Sequence, residues 1–257
     1  MLEGLFQGAL ADQAARESLR SLGVMQELAG SAPAPRSALL FLQPRAQVHI
    51  IAEIKRRSPS KGQLAEIANP VSLACSYEAG GASAISVLTE SRQFGGSLSD
   101  LADISDCVGV PVLRKDFIAT EYQIVEARAH GADWILLIMA GLSDEQVVEL
   151  SGVARSWGMA VLVETHSAEE VRRAVACGAE IIGVNARDLT TFELDKELFG
   201  RLVGLMPEGV IRVAESAVAN SQDVARYRGQ GAHAVLVGEA LVTGPDPESR
   251  VREFVSA

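Results

Sequence analysis

Short β-branched and apolar runs recur along the chain, separated by longer stretches in which apolar residues return at helical intervals. The eight runs are Val48–Ile54, Ala84–Leu88, Val110–Arg114, Trp134–Met139, Ala160–Glu164, Ile181–Asn185, Val210–Ala214 and Ala234–Val237. Their midpoints lie roughly 20 to 34 residues apart, the length of a strand, one helix and two connections. The intervening stretches carry helix starts. Thr120 with Gln123, Ser143 with Gln146 and Ser167 with Glu170 match the capping box, while Asn69-Pro70 and Asp246-Pro247 put a capping side chain before a first-turn proline. Strand and helix alternate along the chain.

A glycine precedes every run after the first, at positions 81, 109, 131, 158, 178, 209 and 231, where a left-handed residue can end one helix before the next strand begins. Four of these glycines open a repeat: Gly81-Ala82-Ser83, Gly131-Ala132-Asp133, Gly178-Ala179-Glu180 and Gly231-Ala232-His233. The period, about fifty residues, is two strand–helix units. Even spacing without a break favours closure into a (β/α)₈ barrel, an α/β fold, over an open doubly wound sheet. Residues 48–257 form the expected barrel. Residues 1–47 read as a helical extension of the same domain: a helical stretch over Leu2–Ala29, a link at Pro33 and Pro35, and an apolar piece at Leu39–Leu42. Its apolar spacing needs a surface, and the barrel mouth is the expected one.

Composition narrows the functional classes. Hydrophobic residues make up 48% of the 257 and charged residues 22%, enough for a large core and too apolar for disorder. Apolar stretches such as Trp134 to Ala140 are too short to span a bilayer, and Met1 to Leu10 lacks the pattern of a secretion signal, so we expect a cytoplasmic protein. A formal charge of −10 argues against binding to nucleic acid or acidic membranes. An anionic small molecule would need a locally basic pocket. Cys75, Cys107 and Cys177 are odd in number and widely spaced, which predicts buried, reduced thiols. No coiled-coil seam is legible, and a monomer is expected.

In such a barrel the chemistry gathers where the strands end. The first run ends in Glu53-Ile54-Lys55, the third in Leu113-Arg114-Lys115-Asp116, the fifth in Glu164, the sixth in Asn185-Ala186-Arg187, the seventh in Glu215-Ser216 and the eighth in Gly238-Glu239. Because strand side chains alternate, Glu53 and Lys55 share a face, as do Leu113 and Lys115. The chain has nineteen arginines but four lysines, at 55, 61, 115 and 196. Three of the four fall at strand ends or in the loops after them, where an ammonium can act as a general acid and a guanidinium cannot. The simpler alternative makes Lys55 and Lys115 salt-bridge partners of Glu53 and Glu164.

Two segments suggest an anion. Lys55-Arg56-Arg57-Ser58-Pro59-Ser60-Lys61-Gly62 is a basic loop on an acidic protein, and Ser216-Ala217 and Gly238-Glu239-Ala240 occupy loops that present backbone N–H groups to phosphate in such barrels. His49, His130, His166 and His233 are scattered, with only His166 near the mouth, so neither a metal nor a cofactor is expected. Phe94-Gly95-Gly96-Ser97 reads as a mobile loop.

Taken in order, Ala52-Glu-Ile-Lys-Arg-Arg-Ser-Pro-Ser-Lys-Gly62, Leu113-Arg-Lys-Asp-Phe117, Leu162-Val-Glu164, Gly183-Val-Asn-Ala-Arg-Asp188 and Ala214-Glu-Ser216 resemble indole-3-glycerol phosphate synthase across the whole chain. The resemblance implies a TIM barrel of the ribulose-phosphate-binding type and a cofactor-free lyase of tryptophan biosynthesis. Its substrate would be a sugar phosphate carrying a carboxyphenylamino group. It implies Lys115 as general acid, Glu164 as acid-base partner, and Glu53 and Lys55 assisting. Asn185 and Glu215 would hold hydroxyls and orient the ammoniums; Ser58, Arg187, Ser216, Ala217, Gly238 and Glu239 would bind the anionic ends. Ala217 departs from the family's usual glycine, which puts a methyl group in the expected phosphate loop.

Other readings stay open on the residues alone. A Schiff-base aldolase would use Lys55 or Lys115 as its amine. The isomerase of the same pathway resembles a strand-one cysteine enzyme, but this chain has Glu-Ile-Lys there. A non-catalytic phosphometabolite sensor would not need several ionisable groups in one mouth.

Overall fold

The computed structural model describes residues 2–188 and 191–257; Met1, Leu189 and Thr190 lie outside the described residues. Eight parallel strands close into a barrel: β1 (His49–Ile54), β2 (Ala84–Leu88), β3 (Val112–Lys115), β4 (Trp134–Ile138), β5 (Ala160–Thr165), β6 (Ile181–Asn185), β7 (Ile211–Glu215) and β8 (Ala234–Val237). The ladder closes where β1 pairs with β8, His49 beside Ala234. Helices follow the strands around the outside, so most strand residues are buried on both faces and read as unbroken apolar runs.

Strand ends differ by one or two residues from the sequence expectation, and the shifts have causes. Pro111 has no N–H to give the ladder, so β3 begins at Val112, while Lys115 O accepts from Thr89 N and carries pairing to Lys115. A 3₁₀ turn, Met139–Gly141, cuts β4 at Ile138. Lys115 and Glu215 therefore sit within strands, on backbone held by neighbours.

The helix starts behave as read, with variations. Ser143 and Gln146 form a reciprocal capping box. Thr120 and Ser167 accept from the N3 amide as expected, but Gln123 and Glu170 reach back one residue further, to Ala119 N and His166 N. Asn69 and Asp246 cap the helices Pro70–Ala79 and Pro247–Val255. Six of the seven inter-element glycines have positive φ. Gly109 does not: helix Leu98–Cys107 ends in extended Val108, and the Gly109 N–H donates to Glu78 instead. The cysteines are free, but Cys75 and Cys107 are exposed and Cys177 is half-buried, because they lie on the outer faces or ends of peripheral helices.

The N-terminal extension is two helices, Leu2–Leu19 and Leu22–Ser31, broken at extended Ser21, and a short turn of helix, Ala38–Phe41. Only the first helix reaches the mouth. Its Phe6 meets Phe117 edge-on at 5.6 Å and lies over Gly141 so closely that a Cβ there would overlap the ring. The second helix packs Met25 and Ala29 against Tyr122 and Val125 on the barrel's flank. The expectation of a cover holds for the first helix; the second is a buttress.

A buried charge chain ties the extension to β3. Arg114, fully buried, points away from the barrel axis and meets Asp116 at 3.0 Å and Glu126 at 3.1 Å. Arg16 of the first helix forks onto Glu126 at 2.6 and 2.9 Å. Removing the central cation leaves Asp116 and Glu126 buried with less compensation. Arg114→Leu is therefore expected to cost about 3–5 kcal/mol of stability, seen as a lower urea midpoint at unchanged slope.

Candidate active site

Barrel alternation aims Glu53, Lys115, Glu164, Asn185 and Glu215 into one cavity at the C-terminal ends of the strands, with Lys55, Ser58, Arg187, Ser216 and Glu239 from the following loops. Ala217 and Gly238 line an adjoining lobe that shares Glu53, Lys55, Arg187, Ser216 and Glu239. All twelve residues expected from the sequence meet here.

At the floor, Lys115 Nζ lies 3.0 Å from Glu164 and 3.5 Å from Glu215, two carboxylates on different strands. Burial disfavours the ammonium, but the charges of Glu164, Glu215 and Glu53 outweigh it and raise the Lys115 pKa well above its usual value. Lys55 Nζ lies 3.6 Å from Glu53 and 5.5 Å from the centre of the Phe94 ring. Glu53 also accepts from Ser86 Oγ at 3.3 Å.

The two carboxylates beside Lys115 differ. For Glu164, burial would raise the pKa, but Lys115, His166 and an amide from Asn185 Nδ2 at 3.1 Å hold it well below the usual carboxylate range. Glu215 makes no hydrogen bond through either oxygen to the described residues; burial and the Glu164 charge push it up to about 8 against Lys115. At neutral pH one is a carboxylate and the other largely an acid. Gly183 makes room for Glu215, since a Cβ there would overlap Oε1.

Asn185 is the hub of the far wall. Its Oδ1 accepts from Ser216 Oγ at 2.8 Å and Arg187 N at 3.1 Å while its amide holds Glu164. The basic loop forms a hairpin, Arg57–Ser58 against Gly62–Gln63, that brings Ser58, Pro59 and Ser60 over the cavity. Its charge is partly spent elsewhere: Arg56 pairs with Asp100 and Lys61 with Glu239.

Sequence reasoning undervalued the apolar wall and His166. Phe94, Phe117, Leu88, Leu136, Ile138 and Leu5 line one side of the cavity. The segment holding Phe94, expected to be mobile, is tied down by buried Glu90, which accepts from the N–H groups of Arg92, Gln93 and Phe94. A glutamate closely followed by Phe-Gly-Gly was the available signal. His166, just past the end of β5, lies against Glu164.

The cavity thus joins an apolar wall to a polar lobe, with ammoniums and carboxyl groups between them. The family model for indole-3-glycerol phosphate synthase matches residues 3–254. The chain belongs to that family. The indole-3-glycerol phosphate synthase of Leifsonia xyli subsp. xyli is 54% identical over 99% of this chain and 97% of its own length, and that of Parafrankia sp. is 51% identical over 100% and 95%. Among solved structures, N-acetylmannosamine-6-phosphate 2-epimerase from Clostridium perfringens matches with a TM-score of 0.63 at 17% identity, over 82% of this chain and 92% of that one. Thiamine phosphate pyrophosphorylase from Pyrococcus furiosus matches with 0.62 at 16%, over 80% and 93%. These two likenesses bear on the barrel fold alone.

One turn beside the cavity is strained. Ser216 and Ala217 both have positive φ, +68° and +57°, so the residue that departs from glycine does occupy a left-handed position. Glycine there should relieve about 1–2 kcal/mol, set against about 0.4–1 kcal/mol of added unfolded-chain entropy. Ala217→Gly is expected to raise stability by about 0.5–1 kcal/mol and Ala217→Val to lower it, both read by urea unfolding.

Proposed function

We propose that this cavity closes the pyrrole ring of indole-3-glycerol phosphate on 1-(2-carboxyphenylamino)-1-deoxyribulose 5-phosphate, releasing carbon dioxide and water. The observation that carries the proposal is Lys115, an ammonium between two buried carboxyl groups at the junction of an aromatic wall and an anion-accepting lobe. The carboxyphenyl ring fits against the apolar wall that Phe94 and Phe117 form together. The phosphate fits the lobe at the Ser216-Ala217 and Gly238-Glu239 turns, where it would draw Lys61 away from Glu239.

In the first step the ring carbon bearing the carboxylate attacks the C2 ketone, and Lys115 protonates the ketone oxygen as the carbon–carbon bond forms. Carbon dioxide then leaves, its bonding electrons restoring the aromatic ring. In the last step the C2 hydroxyl departs as water with a proton from Lys55, held by Glu53, while Glu164 takes a proton from C1. The slot's low polarity favours loss of charge as carbon dioxide forms. Asn185 holds Glu164 in place, Glu215 offers its acid proton to a sugar hydroxyl, and Ser58 and Arg187 face the substrate's anionic ends.

Against an aldolase stands the charge on Lys115. A Schiff-base amine needs its pKa depressed, and here three carboxylates raise it. Leu5 of the N-terminal extension lines the cavity beside barrel residues, which supports the extension working with the barrel as one unit.

Turnover of the anilino-ribulose phosphate to an indole product, followed by fluorescence, tests the reading; an inactive enzyme refutes it. Lys115→Arg keeps the positive charge without a usable proton, so kcat is expected to fall about a hundredfold or more with binding retained. A rate near wild type would remove Lys115 from the acid role. Glu164→Gln, nearly isosteric, is expected to depress kcat by a similar factor, about a hundredfold, with KM little changed.

A further inference from the structure

Lys115 sits between Glu164 and Glu215, both buried, yet one carboxyl is held ionised and the other is pushed up to about 8. The ammonium hydrogen-bonds Glu164 and only approaches Glu215, and Glu164 has two further partners that Glu215 lacks. Glu164 Oε1 has His166 Nε2 at 3.2 Å, a charge contact off hydrogen-bonding alignment, and Asn185 Nδ2 at 3.1 Å; the Glu215 oxygens have no hydrogen-bond partner among the described residues.

His166 is itself anchored. Its ring Nδ1 lies 3.3 Å from Glu170 Oε2, the same oxygen accepts the His166 backbone N–H at 2.9 Å, and Ser167 Oγ donates to Glu170 Oε1 at 3.2 Å. Glu170 stands in the first turn of helix Ala168–Ala176, where a carboxylate is favoured. The imidazole is 12% exposed and lies between two acids. Burial opposes its charge, but Glu164 and Glu170 outweigh burial and raise its pKa to about 10. Among the described residues these two are the charged groups within ion-pairing distance of the ring; Lys115 from β3 and Glu215 from β7 lie beyond Glu164.

We infer that His166 is a positioning residue for this reaction, a permanent imidazolium braced by Glu170 that keeps Glu164 ionised and oriented as the base. The inference rests on the reading of Glu164 given above. It meets a need that Lys115 cannot: once Lys115 has passed its proton to the ketone it no longer carries a charge to oppose the burial of Glu164. His166 does not exchange its proton in the cycle and supplies that charge throughout.

The test is the pH dependence of kcat for wild type, His166→Gln and His166→Lys. Removing the imidazolium lets the Glu164 pKa rise, so the acid limb of His166→Gln should move up by about one pH unit or more, with recovery at high pH. Below the wild-type limb a one-unit shift should lower kcat about tenfold while KM stays within about threefold. His166→Lys, which restores a cation, should bring the limb back toward wild type. A purely structural histidine would leave the limb in place, and a superimposable His166→Gln profile on an active wild type overturns this inference alone. Wild type inactive on the substrate overturns the functional reading and this inference with it. Should the variants not fold, imidazole ¹⁵N shifts of wild type decide: a ring still protonated at pH 8.5 supports the inference, and one titrating near the ordinary value of about 6.5 refutes it.

Discussion

Lys115 Nζ, within 3.5 Å of carboxylate oxygens from two other strands, is the contact around which the mouth of this barrel is built. An ammonium and several carboxyls taken out of water cost several kcal/mol each before they attract one another. The barrel reduces that cost through geometry. Each charged side chain stands on a different strand, so hydrogen-bonded backbone sets their spacing. Gly183 leaves a space the size of the Glu215 carboxyl, and Asn185 spans Glu164 and Ser216. Glu215 relieves the remaining repulsion by keeping its proton near neutrality. The chamber is thereby poised with acids and bases of both kinds at one pH, which is what a sequence of protonation, decarboxylation and dehydration requires.

The period-two alternation of a strand makes a second use of the same segment. Lys115 faces the chamber, while Arg114, one residue earlier, faces the helices and carries the chain from Asp116 through Glu126 to Arg16. The strand that presents the Lys115 ammonium is thus pinned from behind by the charges that dock the N-terminal helix. That helix in turn sets Phe6 against Phe117 and Leu5 in the cavity wall. Extension, slot and acid are consecutive links of one packed structure, so a change in the docking of the first helix is felt at the aromatic slot.

Much of this was legible before any coordinates, because barrels write their design into period and position. The eight runs are the eight strands to within one or two residues, six of the seven glycines are left-handed at helix ends, and the twelve proposed site residues share two adjoining lobes. What stayed hidden depends on contacts between segments distant in sequence. The Arg114–Glu126–Arg16 chain joins residues as far as 110 positions apart, and no local pattern announces it. Phe94 looked like part of a glycine loop because its anchor, Glu90, acts through backbone N–H groups. His166 looked scattered because a metal search asks for several histidines together, whereas its partners are two glutamates. The cysteines misled in the opposite direction: residue type suggested burial, while position on peripheral helices decided exposure.

The charge pattern of the whole chain fits a substrate with an anionic group at each end more closely than its net value suggests. On a protein of formal charge −10, the loop after β1 neutralises part of its own cations, Arg56 with Asp100 and Lys61 with Glu239. Lys61 is paired at the surface, 53% exposed, so exchanging Glu239 for a phosphate oxygen costs little desolvation. The floor differs: Lys115 is 14% exposed and its carboxylates 2%, so no group there can change partners cheaply. On the proposed reading, binding free energy from the lobe at Ser216 and Gly238 holds the aryl carboxylate against an apolar wall that would not attract it unaided. A carboxylate held there is raised in energy relative to water and is relieved by leaving as carbon dioxide. Exchangeable ion pairs at the rim and fixed ones at the floor divide recognition from chemistry within a single cavity.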